Sequence, residues 1–388
     1  MHQKHIITKL NNSMKFSIKT SQLKKGLDIV NHATASVTTT PILENILLKV
    51  NFNNIVLTSN NLEMAIEYVI SEDINIAQEG AFCIPSKLFS NYIALITDDE
   101  LSIELLSDAS IRLETTSGKL KIKGFEADEF PLIPAIKEEV SLTLGGEVVR
   151  KSIEKTLFSS AEGNIRPTLA GISVNITETD TIFASTDSFR LSEFKTTLDV
   201  ALEHSFYGII PNKTASQIRS ILTDKDSVKI VSGESQIAFI SGNTKIYSRL
   251  LNGKFPDYKT FFPNSYSTKA EINRIDLMWA LKKINLISRE NNYSIKMSIS
   301  GETGVLLETS ETQIGESDVS LVGAIEWEDN IVGVNSTYFL EVLGVIDTTH
   351  VSISFENPLS PILITPVTDP DKAKNTDSFK HIIMPLKI

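Results

Sequence analysis

The sequence predicts an α+β protein written as three tandem copies of one unit of 124 to 128 residues. Three observations predict it. An apolar helix stripe, a strand that runs into a helix start, and a strand string rich in Ser and Asn each return along the chain at nearly the same offset. Between them lie short alternating runs punctuated by Gly, Asn, Asp and Ser, the pattern of strands and hairpins.

The helix stripe comes first. Leu23, Leu27 and Val30 share one face at i, i+4, i+7, and Val149, Ile153 and Thr156 repeat that spacing 126 residues on. Leu277, Leu281 and Ile284 repeat it again after a further 128. The second anchor aligns FCIPSKLFSNYI, YGIIPNKTASQI and VGVNSTYFLEVL at Pro85, Pro211 and Asn335, with Ser86, Asn212 and Ser336 expected as N-caps. The third pairs SNNLEMAIEY from Ser59 with STDSFRLSEF from Ser185, again 126 apart. Each unit therefore reads as two similar halves, each a strand, a helix and several strands.

Unit boundaries fall after the Pro-rich connectors FPLIPAIKE and FPDYKTFFP, which divides the chain into 14–138, 139–264 and 265–388. MKFSIK at Met14 opens like a strand, so residues 1–13 are expected to be a disordered extension. TDPDKAKNTDSFK reads as a polar hairpin loop before the last strand.

An apolar fraction of 41% with 22% charged residues is that of a soluble globular protein. The apolar runs have the length of strands and not of membrane helices, and the start lacks a secretory pattern. A single cysteine, Cys83 in the apolar segment AFCI, is expected to be buried and fits a reducing, cytoplasmic setting. The net charge of −11 argues against a general nucleic-acid coat but not against one basic face.

Catalytic and cofactor motifs are missing from the sequence. His2, His5, His32, His204, His350 and His381 are scattered without metal-ligand spacing, and no nucleophile elbow, phosphate loop or dinucleotide fingerprint occurs, so neither metal nor cofactor is expected. Asp187 beside Ser188 reads as turn chemistry at a strand end, and the acidic clusters at Asp98 and Glu126 read as solvated turns. The expectation is a protein that is not an enzyme.

Basic residues recur with the repeat. Lys24 and Lys25 correspond to Arg150 and Lys151; the third copy has Met278 and Trp279 there but carries Lys282 and Lys283 a turn later. On the second helix of each unit Lys87 matches Lys213, followed by Arg219. A solvated helix face would explain any one of these, but recurrence points to one shared positive surface suited to phosphate without base readout.

The ordered strings MKFSIK, TPILENILLKV, NLEMAIE, FPLIP, NIRPTLAGI, ASTDSFRLSEF, LLNGKFPDYKTFFP and HIIMPLKI closely resemble one family from Met14 to Ile388: the bacterial beta sliding clamps, processivity subunits of DNA polymerase III. The resemblance implies three tandem clamp domains, each of two helices and two antiparallel sheets, closing as a head-to-tail homodimeric ring around duplex DNA. It implies DNA contact by Lys24, Lys25, Lys87, Arg150, Lys151, Arg166, Lys213, Lys282 and Lys283. It also implies a groove for linear motifs of the polymerase III alpha subunit, the clamp loader, and other polymerases and repair proteins.

Carried over residue by residue, the middle unit supplies the groove with Leu169, Thr186, Ser188, Phe189, Arg190, Leu191, Pro256, Thr260 and Phe261. The last unit supplies Asn335, Tyr338, Leu359, Pro361, Ile382, Ile383, Met384, Pro385 and Leu386. The family commonly has Gly-His where this chain has Ser188 and Phe189, and an Arg where it has Thr260, so a more apolar, less basic rim is expected. ATASVTTT also lacks an Arg that often reaches DNA. Ring closure would use Leu120 and Ile122 of one protomer against Leu286 and Ile287 of the next, with Lys119, Lys121 and Lys123 near Glu290. The alternative is a repeat-built protein-interaction scaffold that never encircles DNA.

Overall fold

The computed structural model describes residues 14–35, 38–163, 166–203, 205–263, 265–368 and 377–387. The expectations for residues 1–13 and for most of the TDPDKAKNTDSFK loop lie outside the described residues, as do His204 and part of ATASVTTT.

Six α-helices lie among the described residues: α1 (Thr20–Val30), α2 (Ser86–Leu95), α3 (Gly146–Leu157), α4 (Asn212–Ile221), α5 (Arg274–Ser288) and α6 (Ser336–Val345). All nine residues of the three recurring stripes are buried. None of the helices is long and apolar enough to cross a membrane.

Hydroxyls expected to cap helices do something else. Ser86 and Ser336 are the first residues of α2 and α6, and both are buried. Ser86 Oγ donates to Asn31 Oδ1 at 2.6 Å, and Ser336 Oγ donates to Asn285 Oδ1 in the corresponding place. Each hydroxyl ties the start of the second helix to the end region of the first, since a polar group turned inward must find a partner there. The N-cap of α6 is Asn335, whose Oδ1 accepts from Thr337 N at 3.0 Å. Asn212 also starts its helix and donates to Ala161 O at 3.1 Å.

The described residues form two compact units, 14–146 with 220–249 and 147–219 with 250–387. They do not follow the repeat boundaries, because strands of successive repeats pair. In the first unit Met64–Ile70 pairs antiparallel with Thr244–Arg249, joining first and middle repeats in one nine-stranded sheet. A five-stranded sheet completes this unit. α1 packs on α2 and on the strands Asn54–Asn60 and Met64–Ile70. Gly26 permits that approach, since a Cβ there would lie 2.8 Å from Leu57 Cδ1 and 2.9 Å from Tyr68 Cδ1.

In the second unit Arg190–Thr197 pairs antiparallel with Ser378–Ile383, joining middle and last repeats in a second nine-stranded sheet, beside a four-stranded one. Its main core gathers Leu277, Leu281 and Ile284 of α5 and Phe339, Val342 and Leu343 of α6 with apolar side chains of both sheets.

Candidate functional site

The second unit assembles the residues expected to form the groove. The hairpin from Asp180–Thr186 to Arg190–Thr197 turns through Asp187, Ser188 and Phe189. Asp187 Oδ1 accepts from Phe189 N at 2.9 Å and Arg190 N at 3.0 Å, and Ser188 takes φ +81°. Short polar side chains hold such a turn by bonding the backbone two residues on. Thr186 belongs to the same device: its hydroxyl donates to Arg190 O at 2.6 Å.

Pairing then decides which side chains share a face. In an antiparallel pair, opposed residues point the same way. Leu191 opposes Ile382, which opposes Leu363, and Arg190 opposes Ile383, which opposes Ile362. On the first face Leu191 and Ile382 are buried with Leu169, Phe255 and Tyr258. Phe255, Tyr258 and Phe262 pack edge to face, with centroids 5.9 and 6.2 Å apart. Tyr258 donates to Glu193 Oε2 at 2.7 Å; burial, reinforced by that carboxylate, pushes its phenol pKa up.

Beside this floor, apolar side chains stay open to solvent. Phe189 is 59% exposed, Phe261 50%, Leu359 75% and Met384 39%. Met384 N donates to Phe189 O at 2.8 Å, and Leu386 N donates to Gly333 O at 2.8 Å, so the tail is held by backbone on both sides of Pro385. Leu359 and half-buried Pro361 immediately precede Ile362–Pro366, which is paired with the tail strand. Pro256 and Thr260 are exposed beside Phe261. The arrangement offers an apolar strip with adaptable Met384 and a rigid aromatic floor.

Several groove expectations are corrected by this geometry. Arg190 does not line the strip: it lies on the opposite sheet face, 10% exposed, ion-paired with Asp187 (3.0 Å) and with Glu341 of α6. Its guanidinium stacks 4.5 Å from the Tyr338 ring and 5.7 Å from Phe158, so Tyr338 serves that stack. Ile383 is fully buried in the main core, because its register places it beside Arg190. Asn335 is occupied as the α6 cap.

The basic residues divide. Lys25 and Lys87 in the first unit, and Lys213, Lys282 and Lys283 in the second, are exposed. Lys282 lies 4.8 Å from the ring of Trp279, itself 58% exposed. Lys24 is half-buried and donates to Ile96 O at 2.7 Å, Arg150 to Arg219 O at 3.3 Å, and exposed Arg166 to Ser188 Oγ at 2.6 Å. Lys151 is corrected: it pairs with Asp377 at 3.1 Å and lies over Phe194, which holds it to the last repeat.

Of the expected interface residues, Leu286 is 75% exposed, while Leu120 and Ile287 are half-buried. Ile122 is corrected, since it opposes Ile111 and is 4% exposed, facing its own core. Lys119 and Lys121 are paired with Glu114 and Asp108 instead of standing free for Glu290.

Sequence reasoning missed the buried network behind the strip. His381 Nδ1 lies 2.8 Å from Ser192 Oγ, which lies 2.7 Å from Ser159 Oγ, and the Phe158 ring covers the imidazole at 5.4 Å. Burial, with the Arg190 charge, pulls the His381 pKa down to about 3. The alternation of KHII could have placed His381 on the Ile383 face; nothing local could have named Ser159 or Glu341.

Three family models match in succession: the N-terminal domain of the DNA polymerase III beta subunit over residues 14–134, its central domain over 143–257 and its C-terminal domain over 259–387. The chain belongs to the DNA polymerase III beta subunit family. Beta sliding clamps from Bacillus subtilis and Staphylococcus epidermidis are 25% and 28% identical over 383 and 384 residues, covering 96% of this chain and 100% and 99% of theirs. Among solved structures, the B. subtilis sliding clamp superposes with a TM-score of 0.91 at 25% identity, covering 97% of this chain and 99% of that one. The Streptococcus pyogenes beta subunit does so at 0.91 and 25%, covering 96% and 100%. The fold is thus three clamp domains of mixed α and β structure with antiparallel sheets. These likenesses favour the sliding clamp over the interaction scaffold.

Proposed function

We propose that two copies of this chain close head to tail around duplex DNA and tether the replicative polymerase for processive synthesis. The three clamp domains are residues 14–138, 139–264 and 265–388. The observation that carries the reading is the unbroken succession of three beta-subunit domains across the whole length of relatives named sliding clamps.

Ring closure is supported by two open sheet edges, each an invitation to further strand pairing. Lys119–Lys123 is the outer strand of the five-stranded sheet, and Asp318–Leu321 the outer strand of the four-stranded one. The first carries Lys119, Lys121 and Lys123; the second carries Asp318 with Glu316 beside it, so opposite charges would meet. The exposed pairs they already hold within the chain are weak enough to exchange. Leu120, Leu286 and Ile287 would pack across the joint.

The lumen contacts are Lys25, Lys87, Lys213, Lys282 and Lys283, with Lys24, Arg150 and Arg166 reaching phosphate from their anchored positions. Mobile charges on helices attract phosphate without reading bases, which sliding requires. The strip of Phe189, Phe261, Leu359 and Met384 over the Leu169, Leu191 and Ile382 floor would take linear motifs of the polymerase III alpha subunit, the clamp loader, and other polymerases and repair proteins. The role is non-catalytic, without cofactor, and cytoplasmic.

The test is topological. Loaded by its cognate loader onto nicked circular DNA, the chain should remain through gel filtration and should leave once the circle is cut to linear form. Equal retention on both forms overturns encirclement.

A further inference from the structure

We propose that a second peptide-binding cleft lies on the sheet joining the first and middle repeats, built to take a bulky apolar side chain followed by a carboxylate. Its backbone frame repeats that of the groove. Asn61 Oδ1 accepts from Glu63 N (3.1 Å) and Met64 N (2.8 Å), as Asp187 Oδ1 does from Phe189 and Arg190. Leu62 has φ +73° where Ser188 has +81°. Arg249 N donates to Glu63 O at 2.9 Å where Met384 N donates to Phe189 O at 2.8 Å.

Leu62 in that conformation is uncommon, because a side chain other than Gly seldom takes positive φ. The turn thereby leaves the Leu62 side chain 47% exposed on the lining of an open cleft. Its lining includes buried Met64 and Ala65, Tyr247, which is fixed by a 2.9 Å bond to Glu67, and Leu132, 92% exposed.

The side chains at matching positions are exchanged. Met64 opposes Ser248 where Arg190 opposes Ile383, so Met64 takes the place of Arg190 and Arg249 takes the place of Met384. The groove ties its arginine into ion pairs, whereas Arg249 is exposed and makes no ion pair among the described residues. A guanidinium beside apolar walls is matched by a carboxylate, whose fork accepts two parallel hydrogen bonds. With Glu63 also on the wall, the cleft offers no run of positive charge for a phosphate backbone. A peptide fits these demands and a nucleic acid does not. The comparison with the groove rests on the proposed function, but the cleft stands on its own residues.

Buried Cys83 allows selective labelling of an introduced thiol. An environment-sensitive fluorophore would be placed in the full chain at A135C, beside the cleft, or at K259C, beside the groove; both positions are exposed. The probe is acetyl-Ala-Leu-Phe with a free carboxylate, compared with its amide. The A135C reporter should saturate with the acid, bind the amide about tenfold more weakly, and lose about tenfold with R249E, while the K259C reporter is unmoved by R249E. A silent A135C reporter, equal response to acid and amide, or loss with F189A instead of R249E overturns the proposal. Silence at K259C with response at A135C sinks the groove reading and leaves the cleft standing.

Discussion

The Lys155 ammonium of α3 sits 2.6 Å from the Asp347 carboxylate just beyond α6, and it also donates to Val345 O. With Lys151–Asp377 and Arg190–Glu341 it makes three ion pairs from the middle repeat to the last. Their two ends are unequal, since Lys155 is 7% exposed and Asp347 79%. Asp347→Asn should therefore destabilise by ~1–2 kcal/mol, leaving a buried ammonium with a poorer partner. Lys155→Met should cost less, because exposed Asp347 stays solvated without its partner. Urea denaturation of both variants reads the difference, and a reversed order contradicts it.

Acid should weaken the fold through His381. Its folded pKa, about 3, lies below the ordinary 6.5, so the unfolded chain binds the proton first. The stability it contributes is complete above pH 6.5 and is lost as pH falls toward 3, with a limiting slope of ~1.4 kcal/mol per pH unit. A His381→Gln variant should be less stable at pH 7 yet show a shallower decline from pH 6 to 4 in urea midpoints. Parallel declines would remove His381 from the account.

Leu286 is exposed in the single chain, so Leu286→Asp should leave the fold intact and yield monomer by sedimentation velocity at micromolar concentration. Ile122→Asp should instead disrupt the first unit, since that side chain faces its own core. An intact dimer carrying Leu286→Asp would move the interface elsewhere.

Phe189→Ala and Leu359→Ala should each weaken a polymerase-derived clamp-motif peptide by about tenfold with dimerisation unchanged, as loss of an exposed apolar anchor does. Arg190→Ala should act mainly on stability, because its charge is committed to Asp187 and Glu341. Fluorescence anisotropy beside thermal melts separates the two, and peptide loss confined to Arg190→Ala would invert the assignment.

Replacing Lys25, Lys87, Lys213, Lys282 or Lys283 by Gln should lower the slope of log affinity against log salt by about 0.9 for each phosphate no longer neutralised. Lys151→Gln, already paired with Asp377, should leave that slope alone. Identical slopes for all these variants would deny the helices a DNA-facing role.

The sequence by itself determined the repeat and its helices. Leu23, Leu27, Val30 and their two sets of counterparts recur because a buried helix face requires that spacing, and all are buried. It also determined the central hairpin, since Asp187 and Thr186 bond locally. Tertiary structure alone decided which side chains of that hairpin face the aromatic cluster. Leu191 and Arg190 are neighbours in sequence, yet the Ser378–Ile383 strand, nearly 200 residues away, sets a register that sends Leu191 to the aromatic floor and Arg190 to Glu341. It likewise made Ile122 a core residue, Lys151 a partner of Asp377, and His381 a buried imidazole. A period can be read from one strand, but a face belongs to a pair, and these partners come from different repeats.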